Sequence, residues 1–113
     1  MITDVFCKII KGELPADKVY EDDDYIVIKD IKPEAPVHLL IIPKKHFEAL
    51  HDFKNSDAEL LGKALLEKVA KKIGIHDKGY RLIINEGIHG GKLVPHLHIH
   101  LLGGKRLGAK LVK

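Results

Sequence analysis

Three histidines stand at alternate positions in the segment VPHLHIHLLGG, residues 94–104: His96, His98 and His100. Side chains on a β-strand alternate between its two faces, so the three imidazoles would share one face at intervals of about 6 to 7 Å, and the apolar residues between them would share the other. Burying polar rings without partners costs about 1–3 kcal/mol each. The spacing therefore indicates a functional site.

Three interpretations of this triplet differ in their chemistry. In the first, the rings only cover a solvated sheet face, where valine or threonine would have better strand propensity. In the second, two histidines chelate zinc, and a third ligand comes from His38 or elsewhere. In the third, one imidazole is a nucleophile that its neighbours orient and protonate. Neutral imidazole, with a reference pKa of about 6.5, attacks phosphorus well at pH 7. The residues favour the third interpretation and leave the second open.

The first part of the chain, up to Pro43, is predicted to contain one short helix and three strands. TDVFCKIIKG, near the start, predicts about two helical turns, with Thr3 or Asp4 as the cap and Gly12 at the end. DKVYEDDDYIVIKD predicts a hairpin whose turn is the acidic run at residues 22–24. VHLLIIP, which ends at Pro43, predicts a buried strand.

A long helix and two more strands complete the prediction. NSDAELLGKALLEKVAKKIG, residues 55–74, predicts the long helix, with Ser56 and Glu59 as a capping-box pair and Gly74 at its end. YRLIINEG and LVPHLHIHLLGG predict the last two strands. The expected fold is α+β: a five-stranded antiparallel sheet with one short and one long helix, the long helix covering one face.

The length, composition and charge of the chain limit the classes of protein to which it can belong. The 113 residues contain no linker-like segment, which predicts a single domain over residues 1–113. Cys7 is the sole cysteine, so an internal disulfide is excluded and a cytoplasmic location is expected. No run approaches the roughly 18 apolar residues of a membrane span, and Asp4 and Lys8 interrupt any signal-like core near the start. A net charge of +3 and a basic tail without interleaved aromatics predict no nucleic-acid partner.

The segment HLHIHLL resembles the motif of the histidine-triad (HIT) family, in its purine-nucleotide-binding, Hint-type branch. FCKIIKGELP, DIKPEAPVHLLIIPKKH and INEGIHGGKLVPHLHIHLLGG are also similar to that branch, in the right order and over nearly the whole chain. The resemblance implies a homodimer whose two sheets join into one. It also implies a hydrolase of the phosphoramidase type that transfers a nucleotidyl group without a cofactor or metal.

The resemblance also places catalytic roles on individual residues. His98 would attack the α-phosphorus of a purine nucleoside 5'-phosphoramidate or an aminoacyl-adenylate, and water would then hydrolyse the nucleotidyl-histidine. His100 would hydrogen-bond the phosphate, His96 would support the row, and His38 would complete a buried relay. The alternative for His38 is a core histidine with satisfied hydrogen bonds and no catalytic role.

The expected nucleotide contacts follow the same resemblance. Asp30 would accept both ribose hydroxyls, while Asn85 and the backbone amide near Gly91 would hold ribose and phosphate. An apolar slot for the base would be formed by four residues: Phe6, Ile9, Ile28 and Ile31. Core packing and an ordinary turn remain the structural alternatives for the apolar set and for the glycine loop.

Three positions depart from the usual family pattern. Lys92 and Leu93 replace a glutamine and a serine or glutamate, and Pro95 replaces an aromatic residue or histidine. Leucine cannot hydrogen-bond a leaving amine, and Lys92 adds positive charge, which makes a more anionic leaving group plausible. Two further functions therefore stay open: a dinucleoside polyphosphate hydrolase, and a purine-nucleotide-binding regulatory module with weak activity.

Overall fold

The structure is a computed structural model that describes residues 4–47, 49–63, 68–92 and 94–108. Within the described residues, a 3₁₀ turn, Leu50–Asp52, lies between the third strand and the second helix. The helices and strands follow the chain as α1 (Val5–Ile10), β1 (Lys18–Glu21), β2 (Tyr25–Lys29), β3 (Val37–Pro43), α2 (Asn55–Gly62), α3 (Ala70–Lys72), β4 (Arg81–Ile83) and β5 (Ile99–Gly103).

The five strands form one sheet in the order β1-β2-β3-β5-β4, and every neighbouring pair is antiparallel. The predicted hairpin is confirmed at β1 and β2. Its acidic turn is held by Asp22, whose carboxylate accepts the backbone N–H groups of Asp24 at 2.8 Å and Tyr25 at 2.7 Å. Because β3 and β5 are adjacent, residues far apart in sequence meet in the centre of the sheet.

Apolar residues cover both faces of the sheet, whereas the sequence predicted a helix on one face only. Strands β2 and β3 are apolar at odd and even positions alike, so each contributes to two cores. The first core, on the α3 side, contains Tyr25, Val27, Leu39, Ile41, Val69, Ala70, Ile75, Ile99 and Leu101. The second core, on the α1 side, contains Phe6, Ile9, Ile26, Ile28, Leu40 and Ile42.

The predicted cap of α1 is confirmed, and the predicted cap of α2 is wrong. Asp4 accepts the backbone N–H of Cys7 at 2.8 Å. Helix α2 begins at Asn55, and the Asp57 carboxylate accepts the backbone N–H of Lys54 at 2.9 Å. Lys54 is extended and occupies the cap position, which places Ser56 inside the helix. Helices α2 and α3 lie at the two ends of the predicted long helix, and residues 64–67 between them are outside the described part.

Strand β5 is shorter than the sequence predicted, because the chain turns before it. Pro95 has no N–H for a ladder bond, and the N–H of His96 donates to the Val94 carbonyl at 2.8 Å. Regular pairing starts only at Ile99. Among the described residues, no helix combines the length and the apolar character needed to cross a bilayer.

Candidate active site

His38 and His100 are joined by a hydrogen bond between neighbouring strands. His38 lies on β3 and His100 on β5, where His100 is opposite Leu40, so the two histidines are diagonal neighbours. His38 Nε2 lies 2.9 Å from His100 Nδ1. Asp30, which follows β2, places Oδ2 3.3 Å from His38 Nε2 and 4.0 Å from His100 Nδ1. The structure therefore brings three predicted site residues into one group.

The hydrogen-bond partners fix which ring nitrogen carries the proton. The backbone N–H of Glu34 donates to His38 Nδ1 at 3.1 Å, so the proton of neutral His38 lies on Nε2 and is donated to His100 Nδ1. His100 must then carry its own proton on Nε2. No acceptor for that N–H is present among the described residues, so it is available to a ligand.

His98 has the opposite arrangement, with its free lone pair on Nε2. Its Nδ1–H donates to the His96 carbonyl at 2.8 Å. The Phe6 ring packs against the His98 ring at 4.9 Å between centroids, and the His100 ring lies 5.3 Å away. An imidazole held in this way presents a nucleophilic nitrogen next to a histidine that is ready to donate a proton.

The surroundings keep both of these imidazoles uncharged. Burial lowers the pKa of His98 below its ordinary value of 6.5, and the positive charge of Lys92 acts in the same direction. Burial also lowers the pKa of His100. The Lys92 side chain is only 11 % exposed, and its Nζ lies 3.7 Å from Glu86 Oε1. His98 is therefore a free base at neutral pH.

His96 does not continue the histidine row, which corrects the prediction that three imidazoles share one face of a strand. It precedes β5 and is fully buried. Its Nδ1 lies 3.2 Å from Asp4 Oδ2, and its Nε2 lies 2.9 Å from the Pro43 carbonyl oxygen. The His96 ring is therefore held by Asp4 and Pro43, apart from the His38–His100 pair. Its backbone carbonyl accepts the Nδ1–H of His98.

Sequence reasoning missed the residues that surround His96. Cys7 Sγ lies 3.3 Å from His46 Nδ1 and 3.5 Å from His96 Nδ1. Asp4 Oδ2 lies 3.4 Å from His46 Nδ1. The one signal in the sequence was the spacing of Asp4 and Cys7, three apart at the start of a helix, which puts them on one side. Nothing in the sequence placed them against residues 46 and 96.

The structure brings together three of the four residues predicted to hold a base. Phe6, Ile9 and Ile28 are buried in the core on the α1 side. Ile31 is 93 % exposed and stands apart from them. Asp30 lies beside Ile31, and its Oδ1 accepts the backbone N–H of Lys32 at 2.8 Å.

The glycine loop after β4 is a closed turn. The N–H of Gly91 donates to the Ile88 carbonyl at 3.0 Å, and the N–H of Lys92 donates to the Gly87 carbonyl at 3.1 Å. The Gly91 amide is thus already paired. Asn85 is half-buried at the start of this loop, two residues after Ile83, which is opposite His100. The departure at Leu93 lies outside the described residues.

Comparison with known proteins identifies the family of the chain. The HIT domain family model matches residues 11–107. A HIT-like protein of Chlamydia muridarum is 53 % identical over 110 residues, which are 96 % of this chain and 86 % of that protein. The purine nucleoside phosphoramidase of Escherichia coli K12 is 44 % identical over 109 residues, covering 95 % of this chain and 92 % of the enzyme. The solved structure of a HIT family hydrolase from Clostridium thermocellum superposes with a TM-score of 0.85 at 52 % identity, covering 96 % of both chains. The chain therefore belongs to the HIT domain family, as the sequence resemblance predicted.

Proposed function

We propose that this protein hydrolyses purine nucleoside 5'-phosphoramidates or aminoacyl-adenylates at the α-phosphorus, through a covalent nucleotidyl-histidine on His98. The observation that carries the proposal is the pair of tautomers, a lone pair on His98 Nε2 and an N–H on His100 Nε2. The names of relatives add support, since they include a phosphoramidase and a hydrolase.

The reaction consists of two displacements at phosphorus. His98 Nε2 attacks the α-phosphorus and a P–N bond to the histidine forms as the bond to the leaving group breaks. With a phosphoramidate the P–N bond of the substrate breaks and the leaving amine takes a proton from solvent, whereas with an aminoacyl-adenylate the P–O bond breaks and the carboxylate leaves as an anion. His100 Nε2–H donates to a non-bridging oxygen and stabilises the charge that develops there. Water then cleaves the nucleotidyl-histidine, which releases a nucleoside monophosphate and restores neutral His98.

The nucleotide is positioned by the residues around the histidines. Asp30 lies next to the histidine pair and accepts the ribose hydroxyls, while Phe6, Ile9 and Ile28 contact the base. In this proposal Ile31, being exposed, closes over the base only when a nucleotide is present. In this proposal Asn85 and the Gly91 amide hold the ribose and the phosphate, and a ligand oxygen has to compete with the Ile88 carbonyl for that amide.

The first experiment measures the covalent intermediate and turnover in the same tubes. Wild-type protein and a His98→Asn variant are mixed with adenosine 5'-phosphoramidate, quenched rapidly, and analysed by intact-protein mass spectrometry. We expect one adenylyl group on the wild type only. We also expect turnover to fall by at least about 10⁴-fold in the variant, the scale on which loss of a nucleophile acts. Affinity for AMP should be retained by the variant.

Stereochemistry decides the mechanism even when the intermediate breaks down too fast to accumulate. Two in-line displacements retain the configuration of a chiral phosphorothioate product, whereas direct attack by water inverts it. Inversion would rule out the nucleotidyl-histidine and favour a metal-activated water. Tight AMP binding without turnover of either substrate class would instead indicate a regulatory binding module.

A dinucleoside polyphosphate is a second candidate substrate, because Lys92 puts a positive charge near His98. A cation there favours an anionic leaving group over a neutral amine. The comparison of kcat/KM for diadenosine polyphosphate and for adenosine 5'-phosphoramidate, in wild type and Lys92→Gln, separates the two. A selective loss of polyphosphate hydrolysis in the variant would support the second substrate.

We further propose that two copies assemble through β4, so that their sheets form one continuous sheet. Within the described residues, β4 pairs with β5 alone and forms the sheet edge. Leu82, at the centre of β4, is 43 % exposed. An unpaired edge strand carrying an exposed leucine is a ready site for strand pairing with a second copy.

A further inference from the structure

A groove lined by cations lies where the chain enters β4 and where it leaves β5. It consists of two adjoining cavities of about 320 and 670 Å³, whose linings share Lys78, Gly79, Lys105 and Arg106. Sites for small molecules usually have volumes of about 300–1,000 Å³. The size of this groove, which we call the basic groove, is therefore that of a ligand site.

The positive charge of the chain is concentrated in the basic groove. Apart from the Tyr80 phenol, the ionisable side chains that line it are all cations: Lys78, Arg81, Lys105 and Arg106. Their combined charge exceeds the net charge of the whole chain, which is +3. The carboxylate nearest to them in sequence, Asp77, instead lies beside His76, with Oδ1 3.3 Å from the Nδ1 atom. Clustered cations without acidic neighbours in the lining favour an anionic ligand.

Both arginines of the chain, Arg81 and Arg106, line the basic groove. Arg81 Nη2 donates to the Gly108 carbonyl, whereas the buried Nη1 atom has no hydrogen-bond partner among the described residues. A buried charged donor without an acceptor costs free energy, which an anion in the groove would offset. The planar guanidinium group binds phosphate oxygens through two parallel hydrogen bonds, which an ammonium group cannot do. The arginines therefore favour phosphate as the anion.

The basic groove is separated from the reacting histidines by the sheet. Its buried lining residues are close-packed, since a Cβ atom at Gly103 would lie 3.3 Å from Ile75 Cδ1 and 3.5 Å from Tyr80 Cβ. Ile75 belongs to the core on the α3 side, and Tyr80 packs against that core. Phe6, which contacts the His98 ring, belongs to the core on the α1 side. A ligand in the groove would therefore leave the candidate active site open.

We propose that the basic groove binds an oligophosphate chain, either free or as the phosphate tail of a nucleotide. Arg81 and Arg106 hydrogen-bond the phosphate oxygens, while Lys78 and Lys105 add positive charge at the exposed rim. Three linked phosphates carry about as many negative charges as the groove has positive ones. No covalent bond forms or breaks in this binding, and the proposal does not depend on the reaction proposed for His98.

The test is calorimetric titration of the full-length protein with sodium tripolyphosphate, at low salt and without divalent cations. We expect saturable binding of one tripolyphosphate per chain. Arg81→Gln and Arg106→Gln should each weaken it by about 10- to 100-fold, the scale of a hydrogen bond to a charged group. Lys18→Gln is the matched control, because it removes the same charge from β1 at the opposite edge of the described sheet, and it should bind like the wild type.

Two results of the titration would overturn the proposal: no saturable binding by the wild type, or equal affinity in wild type and Arg106→Gln. Arg106 is exposed, so its replacement leaves the core intact and is informative even if Arg81→Gln fails to fold. Circular dichroism checks the fold of each variant.

NMR of the backbone amides shows where the phosphate chain binds. On addition of tripolyphosphate, we expect shifts at glycines of the basic groove: Gly79, Gly103 and Gly104. Shifts confined to the loop before Lys92, at Gly87, Gly90 and Gly91, would assign the phosphate to the candidate active site and refute the proposal. ATP then distinguishes the two sources of the phosphate. Tighter binding of ATP than of tripolyphosphate, with shifts at the groove glycines, would identify a nucleotide tail, and equal or weaker binding a free chain.

Discussion

At the scale of single residues, the chemistry of the site depends on which ring nitrogens carry protons. The Glu34 amide determines the tautomer of His38, His38 determines that of His100, and the His96 carbonyl determines that of His98. The result is one nucleophilic nitrogen on His98 beside one donor on His100, and lowered pKa values keep both of these rings uncharged. Burial supports this state because it disfavours the protonated forms.

The pH dependence of kcat/KM follows from the lowered pKa of His98. His98 reacts as the free base and burial lowers its pKa, so kcat/KM should decline only at a lower pH than the one at which an unperturbed imidazole takes up its proton. Lys92→Gln removes a positive charge that lowers this pKa, so the acidic limb should move to higher pH. The measurement is kcat/KM for adenosine 5'-phosphoramidate across the acidic range.

The matched control for Lys92→Gln is Lys63→Gln. Lys63 also faces a glutamate, with Nζ 3.4 Å from Glu59 Oε1, but it directly follows α2 and its side chain is 58 % exposed. This variant should keep the wild-type profile. An acidic limb that stays at the wild-type pH in Lys92→Gln would contradict the electrostatic role assigned to Lys92.

At the scale of elements, contacts at the ends of helices and contacts in the centre of the sheet contribute differently to the free energy of unfolding. Helix α2 depends on the reach of Asp57 back to the Lys54 amide. Strand β5 lies between β3 and β4 and contributes residues to the core on the α3 side. An exposed loop residue such as Leu14 lies outside these buried contacts.

Replacement of the capping carboxylate tests which residues start α2. Asp57→Ala should lower the free energy of unfolding by about 0.5–2 kcal/mol, since it leaves the amide of Lys54, at the cap position, without its partner. Ser56→Ala should change it by less than about 0.5 kcal/mol, because Ser56 lies inside the helix. Urea denaturation measures both. A larger loss in Ser56→Ala than in Asp57→Ala would restore the capping pair that the sequence suggested.

Paired leucine truncations test the core. Leu101 is fully buried in β5, so Leu101→Ala should lower the free energy of unfolding by about 2–5 kcal/mol. Leu14 is 39 % exposed, so Leu14→Ala should change it by less than about 0.5 kcal/mol. Thermal or urea unfolding of both variants compares the same chemical change in two environments. Equal losses would mean that β5 is not central to stability.

At the scale of the whole molecule, the sheet of the described residues ends at β4, and we propose that this edge pairs with a second copy of the chain. Sedimentation of the wild type should give a particle of about twice the 12.7 kDa chain mass. Leu82→Lys places a charge on the edge strand and should shift the equilibrium toward monomer. Leu14→Lys, at another exposed leucine, is the control and should leave the assembly unchanged. A wild type that sediments as a monomer at all concentrations would contradict the proposed strand pairing.

The sequence by itself determined the family and the types of the strands and helices, and it predicted most residues of the candidate site. The apolar run VHLLIIP and the acidic hairpin turn are local patterns, and each was sufficient to predict its element because strand period and turn chemistry are local properties. The alternating histidines predicted a strand that the structure forms only from Ile99 onward. The resemblance extended these patterns to named residues. The resemblance placed His38 and His100, which are 62 positions apart, in the same site, and in the structure they form a hydrogen bond.

Only the tertiary structure decided where the first histidine of the triplet points. A strand pattern assigns His96 to the same face as His98, but Pro95 interrupts the ladder and turns the ring toward Asp4 and Cys7. Those partners lie 92 and 89 positions away, so no local pattern connects them. Contacts of this kind arise from the packing of α1 against the sheet, which depends on the free energy of the whole core and not on the spacing of residues in the chain.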